Sequence, residues 1–409
     1  MISRVRNVFI ISSFGVLGGF IKNILLAREL SKDELGLFSL LMAVVGFVYP
    51  LTLLGQQNAI VRFMANKEFS KYNWPKQFWR VLILSLVLTC GAVAIFTPIY
   101  NLGILAIIFL LFTTFSSGGT DLLAAIFRAQ RKYELSMFTF RLLSLFLPVV
   151  VFLLLITKLF TFKNILIFFA VFYLLSPIIM IGVTRKKLLV GTEEIPKLVW
   201  KDGLFFWGSD LSLLIIFSVD RFFIPKLLSY EALGEYFAIY SIMRLFDLVL
   251  KSLEFVMMPH VKKSPKIRLG WLLGWSLSIG LILSTAYLVF GNLLVSVLFK
   301  GKYDSTTFLI PFFCILGVIR LLHVIPYSVI GGLLNQERLR QMFYVNIITV
   351  VLCVVLSFIL IKSFGLLGAV ISSIIIWILK TVAGFGIMFF EKIFVKQNNL
   401  QVEGVHIDV

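Results

Sequence analysis

Twelve stretches, most of them about 20 residues long and predominantly apolar, recur along the chain, and each is long enough to cross a bilayer as a helix. They lie at 8–27, 35–60, 81–99, 104–127, 136–157, 164–184, 203–224, 234–258, 271–291, 307–333, 342–361 and 365–390. Hydrocarbon offers no partner for backbone N–H and C=O groups, so uniformly apolar runs of this length are predicted to be helices that satisfy their own backbone. The connections are short, which leaves no room for an inserted soluble domain. Composition agrees: 60% of the 409 residues are hydrophobic and 14% charged, with 42 Phe. A soluble domain carries about 25% charged residues, and this much aromatic surface in water would aggregate. With 11 Pro and 3 Cys, collagenous, disordered and disulfide-framework classes are excluded as well. The predicted fold class is an all-α membrane protein.

The net charge of +18 would suggest nucleic acid in a soluble protein. Here the positions of the charges give a simpler cause. Alternate connections hold 23 of the 38 Lys and Arg, among them Arg4, Arg62, Arg128, Lys186 and Lys263, whereas the intervening connections hold 8, including Arg28, Lys32 and Lys300. Positive loops face the cytoplasm, so this asymmetry predicts twelve spans with both termini cytoplasmic and no nucleic-acid partner. Trp74, Trp79, Trp200, Trp207, Trp271 and Trp275 fall at the cytoplasmic span ends, where interfacial anchors belong.

Soluble-enzyme chemistry has no visible foothold. Cys90, Cys314 and Cys353 lie in apolar runs and read as small buried hydrophobes, and His260, His323 and His406 form no cluster. No zinc, phosphate-loop, nucleophile-elbow or dinucleotide motif occurs. No catalytic residue, metal or cofactor is expected.

An internal repeat organises the spans. Leu30-Ser31-Lys32-Asp33-Glu34-Leu35-Gly36-Leu37-Phe38 follows the first span, and Leu228-Ser229-Tyr230-Glu231-Ala232-Leu233-Gly234-Glu235-Tyr236 follows the seventh. Both read L-S-x-x-x-L-G-x-aromatic at an offset of 198 residues. Leu-Ser ends one helix, acidic residues fill the next helix's first turn, and Gly permits close packing. Six spans separate the copies, so the two halves share an orientation. The expected architecture is two six-helix lobes, 1–190 and 191–409, related by a pseudo-two-fold along the membrane normal.

Ionisable residues inside spans cost a few kcal/mol each and mark cavities or pairs. Arg244, Asp247, Lys251 and Glu254 share one face of the eighth span, either as a self-neutralising ladder or as a cavity lining whose cations can exchange a carboxylate for a substrate anion. Lys22 in the first span and Arg141 in the fifth either snorkel to a span end or face a cavity. Asp210 and Arg221 share a face of the seventh, and Asp220-Arg221 is also readable as a local pair. The tenth span carries Arg320 and His323, a candidate proton sensor, and the twelfth carries Lys380. Neither Arg320 nor Lys380 has an acidic residue in its own span. Asp121 lies beside Gly118-Gly119-Thr120 in the fourth span. Set against Asp121, Asp210, Asp220, Asp247 and Glu254, the seven cations Lys22, Arg141, Arg221, Arg244, Lys251, Arg320 and Lys380 leave an excess of positive charge that suits an anionic substrate. Candidate substrate ligands are Lys22, Arg141, Arg244, Lys251, Arg320 and Lys380, and candidate coupling groups are Asp121, Asp247, Glu254 and His323.

The segment from Leu26 to Phe38 resembles the R-x-L-x-x-x-x-x-G-x-[FY] signature after the first helix of Wzx-type polysaccharide flippases, members of the multidrug/oligosaccharidyl-lipid/polysaccharide (MOP) exporter superfamily. Here the signature residues are Arg28 and Gly36, with Gly234 in the second copy. Gly55 through Arg62-Phe63, Phe127-Arg128-Ala129-Gln130 and Asp220-Arg221 extend the resemblance along the chain. The resemblance implies a MATE-like fold. It further implies transport of an undecaprenyl-diphosphate-linked oligosaccharide from the inner to the outer leaflet of a bacterial cytoplasmic membrane, for surface polysaccharide such as lipopolysaccharide O-antigen. A proton or sodium ion would be the coupling partner and a polymerase would take the product. Two other readings stand beside it. A cation-coupled multidrug antiporter needs cavity carboxylates, and the first span has Lys22 instead. A membrane-embedded polymerase needs a sizeable outer loop with acid–base residues, and the outer connection at 99–103 carries no charge.

Overall fold

A computed structural model describes residues 2–64, 74–184, 193, 198–250, 253, 269–333 and 336–390. The described chain is helical: α1 Ile2–Glu29, α2 Lys32–Thr52, α3 Gln56–Met64, α4 Trp74–Tyr100, α5 Ile104–Ala129 and α6 Tyr133–Ile156. There follow α7 Phe162–Thr184, α8 Leu198–Leu227, α9 Tyr230–Ile242, α10 Leu269–Phe299, α11 Ile310–Leu333 and α12 Gln336–Phe390. Among the described residues nine helices are long and apolar enough to cross a membrane. One of these is α12, which holds the eleventh and twelfth spans. It breaks at Gly365, whose φ of 58° and ψ of −136° lie outside the helical region. Beyond the break the chain folds back: Ser357 Oγ donates to Ser372 Oγ at 3.1 Å across the two arms.

Two further spans are interrupted where the hydropathy pattern is continuous. The second divides into α2 and α3 at an elbow in which Leu54 and Gly55 both have positive φ. A β-carbon on Gly55 would lie 2.1 Å from the Gly203 carbonyl oxygen of α8, so the elbow is seated directly on that helix. Trp207 also donates its indole N–H to the Leu51 carbonyl at 3.0 Å. It is a strut for the elbow, whereas Trp79, Trp271 and Trp275 are exposed, as expected of anchors. The eighth span breaks at Met243, after which residues 244–250 are helical again.

The chain divides into two compact units, Met1–Ala238 and Ile239–Val409. In the first, α5 is central, packing against α2, α3, α4, α6 and α7, while α1 lies along α6 and α8 covers α2 and α3. In the second, α11 packs between α10 and α12. Compactness thus divides the chain later than the repeat does, because α8 and the start of α9 pack with the first unit.

Apolar burial supplies little drive between helices already in hydrocarbon, so close contact and interhelical hydrogen bonds carry more of the association. Thr52 and Ser85 share a hydrogen bond of 2.8 Å between α2 and α4, and Thr120 and Ser176 one of 3.1 Å between α5 and α7. Such bonds contribute on the order of 0.6 kcal/mol each in a membrane. On the outward side of α4, Ile83, Val87 and Ile95 form an exposed apolar stripe. Cys90 is exposed on this helix, contrary to expectation, whereas Cys314 and Cys353 are buried. In hydrocarbon a small thiol gains nothing from turning inward.

Candidate functional site

The two repeat copies meet each other. Ser31 caps α2 in a reciprocal box with Glu34, its hydroxyl accepting from the Glu34 N–H at 3.2 Å. Ser229 caps α9 from one side only, its hydroxyl accepting from the Ala232 N–H at 3.0 Å. With the two helix starts fixed, their glycines cross. A β-carbon on Gly36 would stand 1.8 Å from the Tyr230 carbonyl oxygen, and one on Gly234 would stand 2.0 Å from the Lys32 carbonyl oxygen. Lys32 and Tyr230 are themselves equivalent positions at the 198-residue offset. The contact is therefore reciprocal, as a local two-fold axis between α2 and α9 requires. Lys32 Nζ reaches Glu235 at 2.5 Å and Glu231 at 3.4 Å, and the Tyr230 hydroxyl donates to the Tyr100 carbonyl at 2.9 Å.

The same offset relates two buried in-span charges. Lys22 on α1 corresponds to Asp220 on α8, and Phe38 to Tyr236. Lys22 is 8% exposed, and its ammonium lies 5.6 Å from the Phe38 ring centre and 5.8 Å from that of Phe169. It sits about 10 Å inside the end of α1, two turns from Glu29, held against aromatic faces. Snorkelling, one reading of the sequence, does not describe it. Asp220 accepts a short hydrogen bond from the Tyr236 hydroxyl and another from the Arg221 N–H at 2.8 Å. The aromatic of each repeat copy thus faces the charge from the preceding helix: a π-face for the cation, a phenol for the anion. Tyr236→Phe is expected to cost about 1–3 kcal/mol by removing a donor from a buried carboxylate, read as a lower thermal midpoint of the purified protein.

The remaining signature residues lie at helix ends. Arg28, Arg62 and Arg128 are exposed in the last turns of α1, α3 and α5, where a cation complements the helix dipole. Gln130 ends α5 and accepts from Lys132 Nζ at 2.6 Å. Arg221 is half-buried.

A cavity of about 180 Å³ in the first unit brings together two residues that sequence reasoning treated apart. Asp121 of α5 and Arg141 of α6 both line it, with Tyr49, Tyr173, Ser117 and Ser144. The Arg141 stem lies against Gly15 of α1, which turns the side chain along the helix pair.

In the second unit three side chains from α11 and α12 converge on Trp377. The Arg320 guanidinium lies 5.5 Å from its ring centre, Lys380 Nζ 5.7 Å, and the His323 ring 5.1 Å in an edge-on arrangement. Lys380 is 4% exposed, with no ion pair among the described residues. His323 is 6% exposed and its Nδ1 has no hydrogen-bond partner among them. Arg320 pairs with Asp247, Nη2 to Oδ1 at 2.7 Å. So the carboxylate of the supposed ladder reaches across to α11, and Arg320, without an acid in its own span, takes one from another. Arg244 is half-buried one turn before Asp247. Lys251 and Glu254 lie outside the described residues, as does the side chain of Asp210. Sequence reasoning missed Trp377. Its signal was present: of the seven tryptophans it is the one deep in a span rather than at an end.

The polysaccharide biosynthesis protein family matches residues 4–264. Among solved structures the chain is similar to an inward-facing multidrug-resistance MATE transporter of the MOP superfamily (TM-score 0.64, 13% identity, 96% of each chain covered). It is similar too to the lipid II flippase MurJ in an inward-closed conformation (TM-score 0.65, 15% identity, 98% of this chain and 93% of that one). A MOP transporter from Pyrococcus furiosus, described by a reversed polarity of its binding pocket, aligns with a TM-score of 0.57 at 14% identity over 95% and 96%. No curated protein matches the chain. The match over most of its length makes this chain a member of the polysaccharide biosynthesis protein family, and its helical fold is MATE-like.

Proposed function

We propose that the protein is a flippase for an undecaprenyl-diphosphate-linked oligosaccharide, moving it from the inner to the outer leaflet of the bacterial cytoplasmic membrane. Membership of a polysaccharide biosynthesis family narrows the cargo, and the two cations Arg320 and Lys380, gathered with His323 around Trp377, are the observation that carries the reading. A diphosphate in bare hydrocarbon faces a cost of tens of kcal/mol, which basic side chains in a partly wet site offset. Lys22, Arg141, Arg244 and Lys251 are the further cations in this reading. Alternating access is carried by two six-helix lobes, 1–190 and 191–409, through a cationic central cavity, with both termini cytoplasmic. A proton or sodium ion sets the direction through Asp121, Asp247, Glu254 and His323, and a polymerase consumes the flipped units.

The test is the leaflet location of lipid-linked oligosaccharide in cells lacking the protein. Complete units are expected to accumulate on the cytoplasmic leaflet and to clear when the gene is restored. Units that reach the outer leaflet but stay unpolymerised would overturn the flippase reading in favour of a polymerase.

A further inference from the structure

Resting on that reading, we infer that Asp247 is a built-in competing anion, seated on the guanidinium that receives the substrate's diphosphate and displaced when the substrate arrives. It acts as a charge filter: a headgroup with two or more negative charges displaces it, and a monoanionic phosphodiester does not.

Three observations carry this. The first is the quality of the pair. Asp247 Oδ1 lies 2.7 Å from Arg320 Nη2, yet that oxygen makes no aligned hydrogen bond. A guanidinium holds carboxylate or phosphate best through two parallel N–H···O bonds, and a diphosphate offers several oxygens at suitable spacing. The resident carboxylate is thus a poor occupant of a good site. The second is what surrounds it. With Asp247 withdrawn, Arg320 still stands beside Lys380 and His323 around Trp377. An incoming polyanion gains all of these, whereas a monoanion only replaces one unit charge with another.

The third is the backbone that carries Asp247. The Ile242 carbonyl would normally accept from the N–H of Phe246, but it accepts from the Tyr287 hydroxyl of α10 at 2.7 Å instead, and the Phe246 N–H turns to Met243 at 3.1 Å. Diverting one carbonyl breaks the helix at Met243, and residues 244–250 resume it as a new run. That run is held by the Phe246 ring, which stacks on Tyr287 at 5.8 Å and covers Gly317 of α11, and by the Asp247–Arg320 pair. Removing the charge contact frees Asp247 to move on a pre-broken helix without cost to the rest of α9. The competitor lowers apparent affinity by the free energy of breaking the pair, and substrate binding thereby moves a backbone element.

The experiment uses full-length protein in nanodiscs, with inorganic pyrophosphate and dimethyl phosphate as probes and quenching of Trp377 as the signal, isolated by subtracting a Trp377→Phe variant. The parent is expected to bind pyrophosphate and not dimethyl phosphate. Asp247→Asn is expected to tighten pyrophosphate binding about tenfold and to admit dimethyl phosphate. In an Arg320→Gln background Asp247→Asn is expected to change nothing. As a measurement on the unaltered chain, labelling of Asp247 by a hydrophobic carbodiimide should rise several-fold at saturating pyrophosphate, because the displaced carboxylate is exposed. Unchanged or weaker pyrophosphate binding in Asp247→Asn, labelling that stays constant or falls, or no pyrophosphate binding in any variant would overturn the inference. A tighter Asp247→Asn alongside a normal leaflet distribution in deletion cells would instead keep the anion site and overturn the flippase reading.

Discussion

Gly36→Leu is expected to abolish polymer export and to remove most folded protein from the membrane. The β-carbon alone would sit 1.8 Å from the Tyr230 carbonyl oxygen, a backbone atom that cannot swing aside. Opening the crossing of α2 and α9 far enough would part Lys32 from Glu235 and Glu231 and strain both helix caps. Gly36→Ala already meets the same oxygen, so at least a tenfold fall in surface polymer is expected from that change alone. Gly234→Ala should match it, since its β-carbon meets the Lys32 carbonyl at 2.0 Å. Gly91 is the control: nothing lies within 4 Å of a β-carbon there, and alanine removes about 1 kcal/mol of helix-propensity penalty. Polymer blots beside detergent thermal unfolding read both quantities. Normal export from Gly36→Leu would mean that the crossing is not needed for function.

Lys380→Met should abolish export, by at least a hundredfold, while raising the thermal midpoint. A 4% exposed ammonium with no described acidic partner costs folding free energy that a methionine of similar length does not. Arg320→Met should lose export and stability together. It strands the half-buried Asp247 carboxylate, and breaking one side of a buried pair costs about 3–5 kcal/mol, less here because the pair is partly exposed. Adding Asp247→Asn to Arg320→Met should restore the midpoint and leave export absent. This pattern separates a cation kept for binding from one that also holds the fold. Normal surface polymer from Lys380→Met would remove Lys380 from the substrate site.

The apolar spans were legible because hydrocarbon imposes length and apolarity on each, nine helices among the described residues being long and apolar enough to cross, and Gly365 falls just past the gap read between the last two. The breaks at Leu54–Gly55 and Met243 were not. Both lie in continuous apolar sequence, and their causes are tertiary: the close seat of Gly55 on Gly203, and the Ile242 carbonyl diverted to Tyr287. The charges were legible as important and illegible as partners. Arg320 and Asp247 stand 73 positions apart, on elements whose adjacency no local pattern encodes. Asp121 and Arg141 were each noticed alone, and only packing puts them around one cavity. Lys22 shows the limit most plainly, since snorkelling and burial predict the same sequence until the rings of Phe38 and Phe169 are placed around it.

The crossing of the two repeat copies bears on how such a chain can change over generations. Each glycine is kept small by a carbonyl belonging to the other copy, so neither half is free to drift alone: a bulkier residue at 36 has to be answered in the turn around 230, not in its own neighbourhood. Yet on the preceding helix of each copy, at the equivalent positions 22 and 220, one half carries a cation and the other an anion. A pair of identical half-proteins would place like charges at both positions. Each charge travels with its own aromatic, so doubling either present half would give two cations on π-faces or two anions on phenols, and the present pairing of one of each would be lost.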